Sequence, residues 1–196
     1  LEGYANVLTQ TGFAVGLQLY LGKNFPAYST EYIINVYPQY QSRRFEPQYI
    51  AANCIKNIIS DMYPDNSSNL PLVYQMIDAG RRLYVLDKLL PETADSVKTG
   101  YTQQQLDGCY QHEALIWNYF AENNLLFSND ASAVRDYMND GPKTEMLGEA
   151  SPGFIGQFTG WQIVKKWMSM NKEKSLQDLM AASEKEIYEQ AKYKPQ

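Results

Sequence analysis

Histidine is almost missing from this chain, since His112 is the single histidine among 196 residues. Histidine is the commonest protein ligand of zinc and the usual general base beside a catalytic serine or cysteine. The pair His112-Glu113 begins like the zinc motif H-E-x-x-H, but position 116 is Ile. A zinc site would have to be built almost wholly from carboxylates and thiols. We therefore expect no metal ligand, no catalytic residue and no cofactor.

Long apolar runs and basic runs are missing as well. The longest apolar stretches are only a few residues and cannot span a bilayer. The start, residues 1–4, lacks the basic residues and apolar stretch of a secretory signal. A net charge of −5 argues against nucleic-acid binding, which depends on neutralising phosphates. The chain opens directly in strand-like sequence, so we expect it to be a fragment of a longer protein.

The chain has only two cysteines, and the sequence predicts neither a disulfide nor a reactive thiol. Cys54 and Cys109 lie in helix-like segments among apolar neighbours, where an unpaired buried thiol is commoner than a disulfide. Cys109 lies three residues before His112, but a reactive thiol–imidazole pair needs an exposed, electropositive setting. No glycine run stands between a strand and a helix, where it would cradle a phosphate. These features favour a protein that is not an enzyme.

The chain has enough apolar sequence to fold. Hydrophobic residues make up 44% of it, and its length favours one domain over residues 1–196. Residues 1–21 alternate around Gly12 and predict a β-hairpin with one buried face. Residues 22–46 are rich in tyrosine, end in Arg43-Arg44-Phe45, and predict a long loop. Residues 47–196 are predicted to be helical, so the fold class is α+β, predominantly α-helical, with the hairpin packed on six or seven helices.

Prolines and polar caps predict the helix boundaries. Pro47 and Pro64 bracket the first helix of this region, and Pro91 ends a second that begins near Leu72. Polar residues predict the starts of the later helices: Thr102 with Gln105, Asp130, Ser151-Pro152, Ser175 with Asp178, and Ser183 with Glu186.

Three glycines, Gly153, Gly156 and Gly160, fall inside the helix predicted after Ser151-Pro152. A glycine within a helix costs about 1 kcal/mol relative to alanine. Their helical spacing therefore predicts that another backbone approaches this helix closely.

The second helix carries polar residues within an otherwise apolar run: Gln75, Asp78, Arg81 and Arg82. Asp78 and Arg82 are spaced i,i+4, which favours a solvated ion pair worth a few tenths of a kcal/mol. The alternative is a polar cluster that faces a groove together with Glu113. We favour the solvated pair, because the local pattern does not show which face is buried.

Several segments resemble the GldB-like gliding-motility lipoproteins of the Bacteroidetes. They keep the order of that family and cover nearly all of the chain: LYLGKNFPAY, MIDAGRRLYVLDKLLP, GYTQQQLDGCYQHEALIWNYF, SPGFIGQFTGWQIVKKWM, SLQDLM and KYKP. The stretch from Ser151 to Val164 is the most specific of them. The resemblance implies an outer-membrane lipoprotein whose globular part faces the periplasm, held by an N-terminal lipidated cysteine that is absent from this chain.

The same resemblance implies a distant relation to zincin-type proteases. The helix that would carry H-E-x-x-H corresponds to residues 74–84, which contain no histidine. Glu113 matches an acidic position of the family and would be a relic of a metal ligand. The fold expected from the resemblance is thus a degenerate zincin-like domain. Phe154 stands where the family usually has a basic residue, so an ion pair at that position is not expected here.

These observations together predict a non-catalytic cell-envelope lipoprotein domain related to the gliding-motility and secretion apparatus. It would act as a binding or assembly module for an envelope protein or a peptide, and would meet the membrane only through the missing lipid anchor. The candidate groove is lined by Gln75, Asp78, Arg82, His112, Glu113 and Trp161. Two alternatives remain: a degenerate or unconventional zinc-dependent metallohydrolase using Asp78, His112 and Glu113, and a purely structural subunit of an envelope complex.

Overall fold

The computed structural model of the chain describes residues 5–195, and about 60% of the chain is helical. Two strands form an antiparallel hairpin near the N-terminus, β1 (Asn6–Thr9) and β2 (Gly12–Val15). The α-helices are α1 (Glu31–Val36), α2 (Gln39–Ser42), α3 (Tyr49–Met62), α4 (Leu72–Leu89), α5 (Asp95–Thr99), α6 (Gln103–Gln111), α7 (Glu113–Glu122), α8 (Ala131–Met138), α9 (Ile155–Met170), α10 (Leu176–Ala181) and α11 (Glu184–Ala191). The prediction of a mainly helical chain with an N-terminal hairpin is confirmed.

The described residues contain eleven α-helices rather than the six or seven predicted. Residues 22–46 are not one long loop, because they contain α1, α2 and a 3₁₀ turn at Pro26–Ser29. These helices are four to six residues long, too short for a helical period to show in the sequence. The helix predicted from Thr102 is divided in two at His112, the residue between α6 and α7.

The chain divides into two compact units. The N-terminal unit comprises residues 5–64 and 92–100 of the described chain, and the C-terminal unit comprises residues 65–91 and 101–195. Compact units of this kind can belong to one domain, so the prediction of a single domain over residues 1–196 stays a prediction. Within residues 5–195, no helix has the length and hydropathy needed to cross a bilayer.

In the N-terminal unit, the hairpin packs on α3 through β1. Asn6 pairs with Val15 and Thr9 with Gly12, so the turn is at residues 10 and 11. The predicted hairpin reached from residue 1 to 21, and residues 1–4 lie outside the described part. The strands end at Val15, and a 3₁₀ turn at Leu17–Leu19 buries Leu19 but leaves Leu17 exposed. The predicted face is only partly covered, because Phe13 and Val15 alternate as half-buried residues of β2 while Val7 and Leu8 in β1 are exposed.

In the C-terminal unit, α4 and α9 pack against each other at two glycines. A Cβ atom added to Gly80 of α4 would collide with the backbone of Gly160 and Trp161. One added to Gly160 would collide with the main-chain carbonyl of Met76. The predicted close approach of another backbone is confirmed at Gly160. The partner helix is α4, whose own glycine shares the contact.

The helix α9 is buried on nearly every side, including the polar residues Gln157, Thr159 and Gln162. It begins at Ile155 rather than at Ser151-Pro152, so Gly153 lies before the helix, against the backbone of Gly141. Phe154 precedes α9 in the left-handed region, with φ at 57°. Its carbonyl accepts a hydrogen bond from the buried Tyr101 hydroxyl at 2.8 Å, which fixes this turn.

The polar caps are the best-predicted local feature. Thr102 and Gln105 form a reciprocal capping box at α6, and Ser175 and Asp178 form another at α10. The side chains of Asp130 and Ser183 cap α8 and α11. Each of these residues accepts a backbone N–H that the first turn of a helix leaves without a partner.

Candidate functional site

The polar residues of α4 form a buried ion cluster rather than a solvated pair. Asp78 is 2% exposed. Its Oδ2 accepts a hydrogen bond from Arg82 Nε at 2.8 Å, and its Oδ1 accepts two from the Arg81 guanidinium at 2.5 and 2.9 Å. The interpretation of Asp78 and Arg82 as a solvated pair is therefore wrong. This face of α4 points inward, and one carboxylate is held by two guanidinium groups.

Arg81 extends this cluster to the C-terminal helices. Its Nη1 donates to the carbonyl of Ala182 at 3.0 Å, and its Nη2 lies 2.7 Å from Glu184 Oε1. Ala182 lies between α10 and α11, and Glu184 is the first residue of α11. The Arg81 side chain therefore joins α4 to the start of α11 through charge-assisted hydrogen bonds, which are stronger than neutral ones.

The carboxyl group of Asp65, in the segment that leads into α4, is affected by the charges of the same two arginines. Burial alone would raise the pKa of its carboxyl group, but that effect is outweighed. The Ser67 amide and hydroxyl each donate to Asp65 Oδ1 at 2.7 Å. Together with the charges of Arg82 and Arg81, they hold the pKa of Asp65 below its usual value.

Gln75, one turn before Asp78, is bound to the preceding loop. Its Nε2 donates to the carbonyl of Leu70 at 2.7 Å and approaches the carbonyl of Ser68 at 3.4 Å. A buried amide of this kind satisfies loop carbonyls that would otherwise be costly to bury. Gln75 therefore holds in place the loop that leads into α4.

His112 and Glu113 lie at the junction of α6 and α7. His112 is exposed and ends α6, and Glu113 is the first residue of α7. Glu113 Oε1 accepts a hydrogen bond from the Tyr193 hydroxyl at 2.5 Å, while the Tyr193 ring packs edge-on against Trp117. Burial, and then the Glu113 carboxylate, raise the pKa of Tyr193. Glu113 thus anchors the C-terminal segment to α7.

Trp161 is completely buried in α9. The Nζ of Lys165, one turn later, lies 3.3 Å from the centroid of a Trp161 ring, a cation–π contact. The indole Nε1 has no hydrogen-bond partner among the described residues. Trp161 is therefore part of the core around α9, with a lysine covering one face.

Among the six predicted groove residues, the described hydrogen bonds join Asp78 directly to Arg82. Those of Gln75 and Glu113 lead to a loop carbonyl and to Tyr193. A single groove formed by all six residues stays a prediction. Within residues 5–195, no three His, Cys, Asp or Glu side chains are placed so that they could hold a metal ion.

Cys54 and Cys109 are both unpaired and buried, as predicted. Burial raises the pKa of the Cys109 thiol to about 12, so this thiol is protonated at neutral pH. Burial also raises the pKa of Cys54. Because the thiolate is the nucleophilic form, neither cysteine is poised for chemistry.

A cavity of about 380 Å³ in the N-terminal unit was not predicted from the sequence. Half of its lining residues are aromatic or cationic: Tyr20, Tyr37, Phe45, Tyr49, Arg44 and Lys56. These residues come from separate parts of the unit, whose spatial relation no local pattern reveals. The tyrosines and the Arg43-Arg44-Phe45 triplet of residues 22–46 were the only sequence signals that pointed to it.

Gly100 positions the arginines beside this cavity. It ends α5 in the left-handed region, with φ at 77°, where glycine is favoured. Arg43 Nη2 donates to the Gly100 carbonyl at 2.7 Å. A Cβ atom at position 100 would lie 2.9 Å from Arg44 Nη1, so the absent side chain leaves room for the guanidinium. One arginine therefore binds the backbone of Gly100 and the next lines the cavity.

An aromatic cluster stands behind the cavity wall. Phe45 packs edge-on against Tyr28 and Tyr37, with ring centroids 5.1 and 5.2 Å apart, and Phe25 packs against Tyr28. The Tyr28 hydroxyl donates to the carbonyl of Gln18 at 2.7 Å. Burial raises the pKa of Tyr49 on the cavity wall, although the charges of Arg43 and Arg44 oppose that shift. The negative charge of Glu46 acts in the same direction as burial, so this wall is a packed set of rings close to charges of both signs.

Comparison with known proteins identifies the family. The family model described as "Gliding motility protein GldB" matches residues 2–195, nearly the whole chain. No curated protein and no solved structure gives a significant match. The matched range contains every segment on which the resemblance was based. The chain therefore belongs to the GldB family of gliding-motility lipoproteins, and membership of that family implies an envelope lipoprotein.

Proposed function

We propose that this chain is a non-catalytic binding or assembly module of the gliding-motility or secretion apparatus. It would face the periplasm from an outer-membrane lipid anchor and bind an envelope protein or a peptide. Family membership supports the setting. The observation that carries the binding role is the apolar surface of the N-terminal unit.

Most of the exposed large hydrophobic side chains in the described part of the chain belong to that smaller unit. They are Val7, Leu8, Leu17, Leu21, Phe25, Tyr32, Ile34, Val36 and Met62. Leu17 is 61% exposed, and three of the six residues of α1 are in this set. Single exposed apolar residues are ordinary, but a concentration of them is typical of surfaces that bind other proteins.

The non-catalytic part of the proposal is supported by the polar residues of α4. If the domain is a degenerate zincin-like fold, α4 is the helix that would carry the metal motif. Its buried carboxylate, Asp78, is bound by Arg81 and Arg82, and its buried amide, Gln75, is bound to the preceding loop. In this proposal the helix has kept its position in the core and its polar groups stabilise the fold.

Metal analysis of protein purified without chelator tests the non-catalytic part. We expect zinc well below one ion per chain, unchanged in a His112→Ala variant. One tightly held zinc per chain that is lost on replacing Asp78, His112 or Glu113 would favour the metallohydrolase instead.

Site-specific photocrosslinking in cells of the native host tests the binding role. A benzoylphenylalanine would replace Leu17 in the full-length lipoprotein, and Leu115 of α7 would serve as the matched control. The two leucines are equally exposed, at 61% and 65%, but belong to different units. We expect a discrete crosslinked envelope protein from position 17 and a much weaker product from position 115.

Equal products from both positions, or none from either, would contradict the proposal that the N-terminal unit carries the binding surface. Fractionation of the same cells tests the proposed location. We expect the protein in the membrane fraction. Recovery of the protein outside the membrane fraction, without a lipid anchor, would contradict that location.

A further inference from the structure

The cavity of the N-terminal unit combines aromatic rings with uncharged polar groups. Its volume of about 380 Å³ lies at the lower end of the range for small-molecule sites, roughly 300–1,000 Å³. Arg44 and Lys56 also line it, but each has interactions of its own, so we assign neither a part in binding. The rings and amides that remain on the wall are those of Tyr20, Tyr37, Phe45, Tyr49, Gln41 and Asn53.

The Tyr20 hydroxyl has a proton to donate. Its oxygen accepts hydrogen bonds from Asn53 Nδ2 at 3.0 Å and from Asn6 Nδ2 at 3.2 Å. The Asn6 amide is oriented in turn by Asn57, whose Nδ2 donates to Asn6 Oδ1. Because two donors already occupy the Tyr20 oxygen, its own proton points away from both of them, and no atom of residues 5–195 accepts that proton. A residue only 4% exposed therefore keeps a donor that a ligand oxygen could accept.

The Tyr49 hydroxyl has no hydrogen bond and can still be reached. It bonds to no group within the described part of the chain, although Tyr49 is only 7% exposed. The fully enclosed side-chain atoms that lack a partner there belong to Trp161 and Gln162. The Tyr49 oxygen is not one of them, so it keeps some contact with solvent, and Tyr49 lines the cavity. A hydroxyl in the cavity can supply the bond that Tyr49 does not make within the protein.

Two amides add hydrogen-bond acceptors to the same wall. Asn53 donates to Tyr20, and Gln41 Nε2 donates to the Tyr40 hydroxyl at 3.2 Å. Each amide thus uses its nitrogen within the unit, while its oxygen receives no hydrogen bond from residues 5–195. The wall therefore offers a donor from Tyr20, acceptors from Asn53 and Gln41, and a Tyr49 hydroxyl that can do either.

The rings form a flat apolar surface beside these polar groups. Phe45 packs edge-on against Tyr37 and Tyr28, with ring centroids 5.2 and 5.1 Å apart, so this part of the wall is held in place. A wholly apolar ligand would cover the polar groups without bonding to them, which is unfavourable. A sugar satisfies both parts, because its hydroxyls donate and accept hydrogen bonds while the C–H groups on one face of its ring are apolar.

We propose that this cavity binds a neutral sugar. Its hydroxyls would bond to the Tyr20 and Tyr49 hydroxyls and to the two amide oxygens, while one face of its ring packs against Tyr37 and Phe45. The sugar would be either free or the end of an envelope glycan chain. This site is separate from the exposed apolar surface, and the inference does not depend on the proposed assembly role.

Saturation-transfer NMR on the 196-residue chain tests the proposal with five sugars: glucose, galactose, mannose, rhamnose and N-acetylglucosamine. We expect the ring C–H protons of at least one of them to receive saturation from the protein, in a saturable manner. Sorbitol has the hydroxyls without the ring and should give no signal. Added salt should leave the binding unchanged, because the ligand carries no charge.

The methyl glycoside of each sugar distinguishes the two sources. A methyl group stands where a sugar at the end of a glycan joins the rest of the chain. Binding that survives methylation supports the end of a glycan, and binding of the unmethylated form alone supports a free sugar.

A substitution of one atom tests the polar wall. Tyr49→Phe keeps the ring and removes the hydroxyl, so it should weaken the best-bound sugar about fivefold, the size of one uncharged hydrogen bond. Tyr32→Phe is the matched control, since it changes an exposed tyrosine of the same unit that does not line the cavity. Circular dichroism verifies the fold of each variant, and Gln41→Met, at a half-buried residue of the same wall, stands in if Tyr49→Phe does not fold.

The position of the bound sugar is read from amide chemical shifts. We expect the best-bound sugar to shift the backbone amides of Asn53 and Gly100, which line the cavity. The three tryptophans, Trp117, Trp161 and Trp167, all belong to the C-terminal unit, and their indole N–H signals should not move.

Three results would overturn the inference. The first is that none of the five sugars binds in either form. The second is equal binding by the Tyr49→Phe and Tyr32→Phe variants, which would show that the Tyr49 hydroxyl takes no part. The third is a set of shifts confined to the C-terminal unit, which would place the sugar outside the cavity.

Discussion

The two units of this protein differ in which polar and apolar side chains they bury and which they leave exposed. In the C-terminal unit, α9 is enclosed, Asp78 is bound by two arginines, and the main polar side chains hold loops and helix ends. In the N-terminal unit, large apolar side chains are exposed, and two half-buried cations line an open cavity. The difference teaches that polar residues on a core helix can be structural, while the less regular segment leaves more of its large apolar side chains exposed.

The largest effect should come from the crossing of α4 and α9. Gly160→Ala would place a methyl group on the carbonyl of Met76, and backbone atoms cannot rotate away as a side chain can. We expect a loss of more than about 3 kcal/mol in the free energy of unfolding, or no folded protein. Urea denaturation followed by circular dichroism measures it.

Gly108→Ala is the matched control for that substitution. Gly108 lies within α6, and a Cβ atom there would meet nothing within 4 Å. Alanine should stabilise this helix by up to about 1 kcal/mol, because glycine loses more backbone entropy on folding. Equal effects of the two substitutions would mean that α4 and α9 do not cross as closely as described.

The next largest effect should come from Asp78. Asp78→Asn removes the negative charge shared by Arg81 and Arg82 and leaves two partly buried cations close together. Removing one partner of a buried ion pair costs about 3–5 kcal/mol, and the partial exposure of the arginines reduces this to about 2 kcal/mol. Asp107→Asn, at an exposed aspartate that accepts a bond from Gln103, should cost less than about 0.5 kcal/mol. A similar cost at both positions in urea denaturation would show that Asp78 is solvated after all.

A smaller, pH-dependent effect should come from Asp65. Its pKa in the folded protein lies below its usual value, so its contribution to stability is present above the unfolded pKa of about 3.9. That contribution is lost as the pH falls through the folded pKa. Asp65→Asn should therefore cost about 0.5 kcal/mol near neutral pH, allowing for solvent screening, and almost nothing in strong acid. Urea midpoints measured across that range test this, and a constant cost at every pH would contradict it.

The parts of the fold that the sequence predicted are those set by neighbouring residues. Thr102 with Gln105 and Ser175 with Asp178 are local caps, and both were predicted and confirmed. Gly160 predicted a close approach, but its partner Gly80 lies 80 residues earlier in the chain, and no local pattern links the two. The short helices of residues 22–46 were missed because four to six residues do not establish a period.

The features of the candidate site that the sequence predicted are also those set by neighbouring residues. The spacing of Asp78 and Arg82 predicted their ion pair, but not that it is buried, because burial depends on what packs against α4. The cavity unites Tyr20, Arg44, Lys56 and Gly100, which come from different elements, and only folding brings them together. Sequence reasoning therefore singled out polar residues of α4 and missed the cavity, whose lining comes from the predicted hairpin, the predicted loop and the helices that follow.

The contrast between the units can be tested most directly with two substitutions measured in parallel. Arg82→Gln and Leu17→Ala would each be examined for stability in urea and, in the full-length lipoprotein, for the amount of envelope protein captured by chemical crosslinking in cells. We predict that Arg82→Gln loses about 1–2 kcal/mol with capture unchanged, and that Leu17→Ala, at a side chain 61% exposed, loses less than about 0.5 kcal/mol and weakens capture. The reverse result, with capture lost at Arg82 and kept at Leu17, would contradict the proposal that the N-terminal unit carries the binding surface.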